Sequence, residues 1–460
     1  MPLVATDVTD GNIVVNGGTM SFETTTNVPA GTGAITFNTG TTWSFFGFTG
    51  TLARPVVVNG AVTVGPNNNA VSIAVSPITL NGDLTATALN ANGTGTVALN
   101  GPIGETGGPH SITKVNNGTG NSVLALGGNN TFSGGVNVNA GIVEISTVNN
   151  LGTGPLTFNG GTLRFATGSG GADVSVRTVT LAGAATIDTN GNSVTFGNPI
   201  GNNGAGGLTK IGAGILNLAA ANTYTGATTV TAGTLRVNNT TGSGTGAGAV
   251  AVTGTGAVGS GGTLGGGNTA GTAGFITGPI TISSTVPATQ GGTVSPGNSI
   301  GTLNVASMNW NPFGQYVFEH SALSNATGGA ANDFTNGSGT LDLSALSPGA
   351  TFTMNLTPVN FSPAPTQMDY TVATFAGGIT GPGGPFANGS DASSLFTLAG
   401  GFTSAPAMYA TVVGNIGGPQ SLVISFTPVP EPAFMLLACG AAAGGFGWWR
   451  RAGMRANAAD

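Results

Sequence analysis

GGLTKIGAGILNLAAANTYTGATTVTAGTLRVNN, residues 206–239, decides the fold. Leu216 and Leu218 flank Asn217, and Leu235 and Val237 flank Arg236. In an extended backbone successive side chains point to opposite faces. Each triplet therefore buries two apolar groups and turns its polar residue to solvent. Thr229, Val230 and Thr231 continue a β-branched alternation, as strands favour. Gly233 stands where the chain must turn sharply between two strands. Such short strands cannot bury a face alone. Stacked as coils of roughly 20 residues or more, they bury it against their neighbours. The NTYTG segment, residues 222–226, is expected to form a corner with Tyr224 packed on the next coil.

A second copy lies upstream. GGNNTFSGGVNVNAGIVEI, residues 127–145, places Asn130, Phe132, Gly134 and Gly141 where the first stretch has Asn222, Tyr224, Gly226 and Gly233. Each copy follows a lysine-bearing lead, SITKVNNGTGNSVLAL (111–126) and GLTKIGAGILNL (207–218). Looser versions recur in PVVVNGAVTVGP (55–66), SPITLNGDLTATALNANGTGTVAL (76–99), LGTGPLTFNGGTLRF (151–165) and GGTVSPGNSIGTLNV (291–305). The many Asn–Gly pairs are read as corners with Asx turns or left-handed backbone. Inward asparagine ladders between coils are the alternative.

Composition supports a solenoid. Among 460 residues there are 83 glycines, but only 9 Lys+Arg and 15 Asp+Glu, so 5% are charged, against about 25% in ordinary soluble domains. Nucleic acid is excluded as a partner, because phosphate binding needs many basic side chains. Collagen is excluded by the lack of a three-residue glycine period. A hydrophobic fraction of 39% argues against simple disorder. The single cysteine, Cys439, leaves no intrachain disulfide.

The pattern divides the chain into an N-terminal β-helical region (1–105), a β-helix with the two repeats (106–305) and a β-rich, cap-like region (306–428). In the last, WNPFGQYVFEH (310–320) and NDFTNGSGTLDLSAL (332–346) predict longer, aromatic strands, and MDYTVATF (368–375) and SLVISFTPV (421–429) are expected to close it. A cap would cover the backbone edge that a solenoid leaves open. From Val429 the language changes. Pro430, Glu431 and Pro432 end the strand pattern, and Ala433 to Trp449 is uncharged and mostly apolar. As a helix this run spans about 25 Å, the short end for a membrane crossing. Trp448 and Trp449 stand where interfacial tryptophans belong, and Arg450, Arg451 and Arg455 follow. That cluster places the end of the chain on the cytoplasmic side and the body outside.

Residues 429–455, with their Pro-Glu-Pro motif, apolar span 433–449 and Arg450-Arg451 end, resemble a PEP-CTERM sorting signal. The resemblance implies export in a Gram-negative bacterium and processing by an exosortase-type membrane enzyme. Pro430, Glu431, Pro432, Trp448, Trp449, Arg450 and Arg451 would then form a recognition and anchoring element. Residues 206–239 and, more loosely, 107–149 are similar to the autotransporter-associated β-strand repeat of bacterial passenger domains, and SPGNSIGTLNV (295–305) resembles the segment that often follows such repeats. That resemblance implies a right-handed parallel β-helix and no particular ligand. The tail has no room for the β-barrel of an autotransporter, and the sorting segment is expected to take its place. MPLVATDVTDGNIVVNGG (1–18) lacks the basic and apolar stretches of a secretory signal. The expectation is a true start further upstream, or a fragment.

Catalytic patterns are sparse. Glycoside hydrolysis needs paired carboxylates, and the candidate pairs are Asp173 with Asp188 and Asp333 with Asp342. A lyase would draw on Arg54, Lys114, Arg164, Arg177, Lys210 or Arg236. Lys114 and Lys210 hold equivalent repeat positions, which favours a repeated structural role, and Arg164 and Arg236 are expected to face solvent from their GTLR strands. His110 and His320 lack the companions of a metal site. Cys439 reads as a packing residue, and no phosphate loop is present. The reading is therefore an all-β, exported structural or adhesive protein of the outer surface or extracellular matrix, without cofactor. Extracellular polysaccharide or self-association are its expected contacts. The alternatives are a β-helical polysaccharide lyase or glycoside hydrolase, and a glycan-binding module around Trp310, Phe313 and Tyr316.

Overall fold

The computed structural model describes residues 2–3, 11–23, 32–46, 48, 51–52, 54–68, 71–74, 76–254, 261–268, 270–284, 291–297, 299–320, 332–358, 368–400 and 409–426. Within them the chain is all β apart from three short 3-10 turns, and its strands form five sheets paired mostly in parallel. Most strands pair with one in a neighbouring coil. Leu208 lies beside Thr228, and Thr228 beside Val250. These steps match the coil length that the sequence predicts. Later coils lengthen, with Val250 beside Ile280 and Leu341 beside Ile379. This is an architecture consistent with a β-helix or solenoid.

The longest sheet has fifteen strands, from Thr51–Leu52 to Gly384–Pro385. Early coils visit a five-stranded sheet, then a nine-stranded sheet, then the long one, as in Val56–Asn59, Val62–Pro66 and Val71–Ala74. Late coils pass from the long sheet to an eight-stranded and then a seven-stranded sheet, as in Ile280–Ser284, Thr293–Pro296 and Thr302–Val305. The two repeats sit on either side of this change. The first copy puts its strands on the nine- and fifteen-stranded sheets, and the second on the fifteen- and eight-stranded sheets. One sequence unit thus serves two different sheet pairs.

Alternation makes the core. In register along the long sheet, Leu124, Val143, Leu163, Ile187, Lys210, Val230, Val252, Ile282 and Trp310 form one inward row. All nine are buried. An outward row on the nine-stranded sheet reads Thr63, Thr85, Thr113, Asn137, Thr157 and Thr180. Threonine suits these positions because its branched Cβ favours the extended backbone while its hydroxyl stays hydrated. Aromatic stacks fill both ends of the described body. Phe37, Trp43 and Phe45 pack at 5.5 and 5.3 Å, and Trp310 stacks on Phe352 at 4.7 Å.

Parallel pairing continues through the coils after residue 306. Antiparallel strand pairs occur late, where Gln420–Phe426 lies between Met368–Phe375 and Tyr409–Val413. Met368–Phe375 and Gln420–Phe426 are thus partners, with strands of other sheets between them in the chain. No helix among the described residues is long and apolar enough to cross a membrane. The expected span 433–449 lies outside the described residues.

Candidate functional site

The repeat corner is built from four residue types, each with a physical task. Asn130 Oδ1 accepts the Ile103 N–H at 2.8 Å, and its Nδ2 donates to the Asn150 carbonyl at 2.5 Å. Asn222 does the same between the Ile200 N–H and the Gly244 carbonyl, at 2.8 and 2.5 Å. Each buried amide therefore ties three successive coils together where the backbone leaves its sheet and loses its ladder partners. Phe132 and Tyr224 fill the core beside them, and the Tyr224 hydroxyl meets Thr228 Oγ1 at 2.8 Å. Gly134 and Gly226 permit close approach, since a Cβ would lie 2.2 Å from His110 backbone carbon in one copy and 2.5 Å from that of Gly206 in the other.

The lysines of the two leads are buried inside the solenoid. Lys114 stands in an inward row between Ala86 and Val138, and Lys210 between Ile187 and Val230. Lys210 Nζ donates to the carbonyls of Ile211, Gly212 and Ala232 at 2.9, 2.8 and 3.1 Å. Lys114 Nζ donates to the Val115 carbonyl and to Ser122 Oγ. Burial pushes both amines down to about 8; at Lys210 the Asp188 carboxylate opposes the shift. Above each amine sits the glycine of the following corner. A Cβ at Gly141 would come 2.6 Å from Lys114 Nζ, and one at Gly233 would come 2.7 Å from Lys210 Nζ. Both glycines have positive φ, 70° and 64°. Each buried amine thus meets polar groups inside the coil stack: the Val115 carbonyl and Ser122 hydroxyl at Lys114, and at Lys210 the adjoining Ile211 and Gly212 carbonyls with that of Ala232 from the corner of the next coil.

The other candidate residues are engaged locally. Asp173 accepts from Ser175 N and Gly197 N, while Asp188 accepts from Asn190 N. Asp342 accepts from Ser344 N. Asp333 is buried and receives the Gly301 and Glu319 amides at 3.1 and 2.9 Å, with burial raising its carboxyl to about 9. Arg177 clasps the carbonyls of Val148, Leu151, Gly152 and Gly154. Arg54 is buried, with bonds to the Gly11 and Gly33 carbonyls. Arg164 pairs with Glu144 of the preceding coil at 2.6 Å. Arg236 is partly exposed. His110 Nε2 meets the Thr106 carbonyl at 3.1 Å. His320 is buried against Phe318 and Tyr370, and burial lowers it to about 4. No group of three or more His, Cys, Asp or Glu able to hold a metal occurs among the described residues.

Two expectations change. Trp310 and Tyr316 are buried, and Phe313 is half-buried, so they do not form an exposed aromatic platform for sugar. Asparagine ladders run mainly along the surface, although Asn304, which accepts from Asn336 of the next coil, is buried. Asn59 donates to Asn38 at 2.8 Å and Asn38 to Asn16 at 2.6 Å, and Asn159 donates to Asn139 at 2.8 Å. The sorting residues Pro430, Glu431, Pro432, Trp448, Trp449, Arg450 and Arg451, and Cys439, lie outside the described residues.

Residues 117–145 and 208–237 match the passenger-associated-transport-repeat family, and residues 428–451 match the PEP-CTERM protein-sorting motif. The chain is also similar to a protein described as adhesin BmaC autotransporter, from Brucella suis biovar 1 (strain 1330). The two are 30% identical over 200 residues, which is 39% of this chain and 6% of that relative's length. The chain thus carries two passenger repeats and a sorting motif. The motif implies an exosortase-type processing enzyme, and the two features together point to the cell envelope or extracellular surface.

Proposed function

We infer that this chain, joining passenger repeats to a sorting motif, is an exported structural or adhesive component of the bacterial cell surface or extracellular matrix. Its body is a right-handed parallel β-helix over 1–305, closed by a cap-like region over 306–428, and it does not catalyse. Residues 429–455 deliver it. Pro430-Glu431-Pro432 is the element recognised by the exosortase-type enzyme, residues 433–449 cross the membrane at least transiently, and Arg450 and Arg451 hold the cytoplasmic side. The observation that carries this reading is the presence of both repeat and sorting motif in one chain. The four candidate carboxylates, Asp173, Asp188, Asp333 and Asp342, support a non-catalytic role because hydrogen bonds commit them to turns and coil contacts.

The test is the fate of the tail. A C-terminal tag on the full chain should be lost in a host with its exosortase and retained when the exosortase gene is deleted. Replacing Pro430, Glu431 and Pro432 with alanine should give the same retention. A tag lost equally in all three strains, or retained in all, contradicts the assigned role of the tail.

A further inference from the structure

Where the late coils lengthen, the outer face of the seven-stranded sheet carries a groove of about 560 Å³. That volume lies within the range of ligand sites, about 300–1,000 Å³. Every residue lining it is uncharged. One side is a row in register, Phe275, Asn304 and Asn336. The other follows two residues later along each strand, where the amides of Ala306, Ser338 and Ala376 continue the coil-to-coil ladder from Ile276, Val305 and Gly337. That second row therefore reads Thr277, Ala306, Ser338, Ala376, hydroxyl alternating with methyl from one coil to the next.

The amide row is held in place before any ligand arrives. Asn304 is buried, and its Nδ2 donates to the Gly271 and Ala273 carbonyls, both at 3.1 Å. Its Oδ1 accepts from Asn336 Nδ2 at 3.1 Å. That bond uses one of the two amide hydrogens of exposed Asn336 and fixes its plane. Half-buried Phe275 and the two alanine methyls supply apolar surface beside these polar groups.

We propose that this groove binds an extended, neutral, β-linked polysaccharide laid along the solenoid axis. The proposal rests on the surface-protein reading and names a partner for it. Sugar rings offer both C–H faces and hydroxyls, which the two rows meet with apolar surface, amide and hydroxyl. Coils are spaced by about 4.8 Å, close to the advance of one sugar in such a chain. The two-coil alternation of hydroxyl and methyl then follows the two-sugar repeat of a β-linked ribbon, whose successive rings are flipped. A charged polymer is disfavoured, because no basic side chain lines the groove to replace the water lost from its carboxylates.

The experiment is affinity electrophoresis of the full-length chain in mild detergent, through gels containing hydroxyethylcellulose or glucomannan, with dextran and alginate as comparisons. The wild-type chain should be retarded by at least one of the first two. Ala306→Trp, which fills the groove from an outward position, should weaken retardation roughly tenfold or more, and Asn336→Ala should weaken it less. Unchanged thermal unfolding of both variants would show that the solenoid is intact. Retardation by neither β-linked polymer, by alginate alone, or equally in wild type and Ala306→Trp overturns the proposal. So does a wild-type dimer that Ala306→Trp dissociates, since the occupant would then be a second copy. Failure of the surface reading is distinct, because it would appear as a body hidden from external labels in wild type and variant alike.

Discussion

Asn222 joins three coils through two buried bonds, so its loss is felt on both sides. Asn222→Ala leaves the Ile200 N–H and the Gly244 carbonyl without their side-chain partner, at about 1–3 kcal/mol each. Because each coil packs on its neighbours, the damage should be local. Hydrogen exchange should rise at residues 200–244 and much less before residue 100. Uniform acceleration along the chain would contradict this role. Lys210 makes a second prediction. Its amine is lowered to about 8 by burial, whereas an unfolded lysine titrates near 10.4. Between those values the unfolded chain binds more protons, so stability rises with pH and then levels off. Below about 8 the full cost of burying the charge is present. Lys210→Met should flatten part of this rise in thermal melts from pH 7.5 to 10.5, and an unchanged slope would count against the buried ammonium.

Individual elements were the most legible level in the sequence. Leu216 and Leu218 are buried around a partly exposed Asn217, and Gly233 turns with positive φ, as the alternation and the corner predict. Lys210 was harder, although its parity with Leu208 places it inward. A charge in an apolar row contradicts the usual reading of that row, and only the carbonyls that meet it, those of adjoining Ile211 and Gly212 and that of Ala232 from a later corner, explain it. Glycines in an open loop and at the repeat corner meet different requirements. Gly168→Ala meets open space and incurs only the strain of φ 77°, whereas a Cβ at Gly233 would also lie 2.4 Å from the Gly212 carbonyl oxygen. The first should cost about 1–3 kcal/mol, and the second distinctly more, in paired urea denaturation curves. Equal costs would show that the corner relaxes freely.

At the scale of the whole molecule the sequence revealed coils and repeats but not their placement. Two copies of one motif occupy different sheet pairs because the coil from Val179–Leu181 through Ala185–Asp188 adds a further strand, Ser193–Phe196, which starts the eight-stranded sheet. Local periodicity carries no record of such a shift. The antiparallel pairing near the end was equally hidden, since alternation reads the same in either direction. Gln420–Phe426 covers one side of Met368–Phe375 there. Val423→Pro, within that strand, should break the pairing and expose an edge open to other chains. Size-exclusion chromatography should then show soluble aggregates, and a monodisperse variant would contradict a protective role for this strand.

A surface protein of this kind displays its solenoid outside the cell. An epitope inserted after Gly168, in a loop where added atoms meet open space, can be labelled on intact cells with a membrane-impermeant antibody. The epitope should be labelled before lysis, with the label removed by external protease and absent when the Pro430-Glu431-Pro432 segment is replaced. An epitope reached only after lysis, with the wild-type tail and its exosortase present, would contradict it.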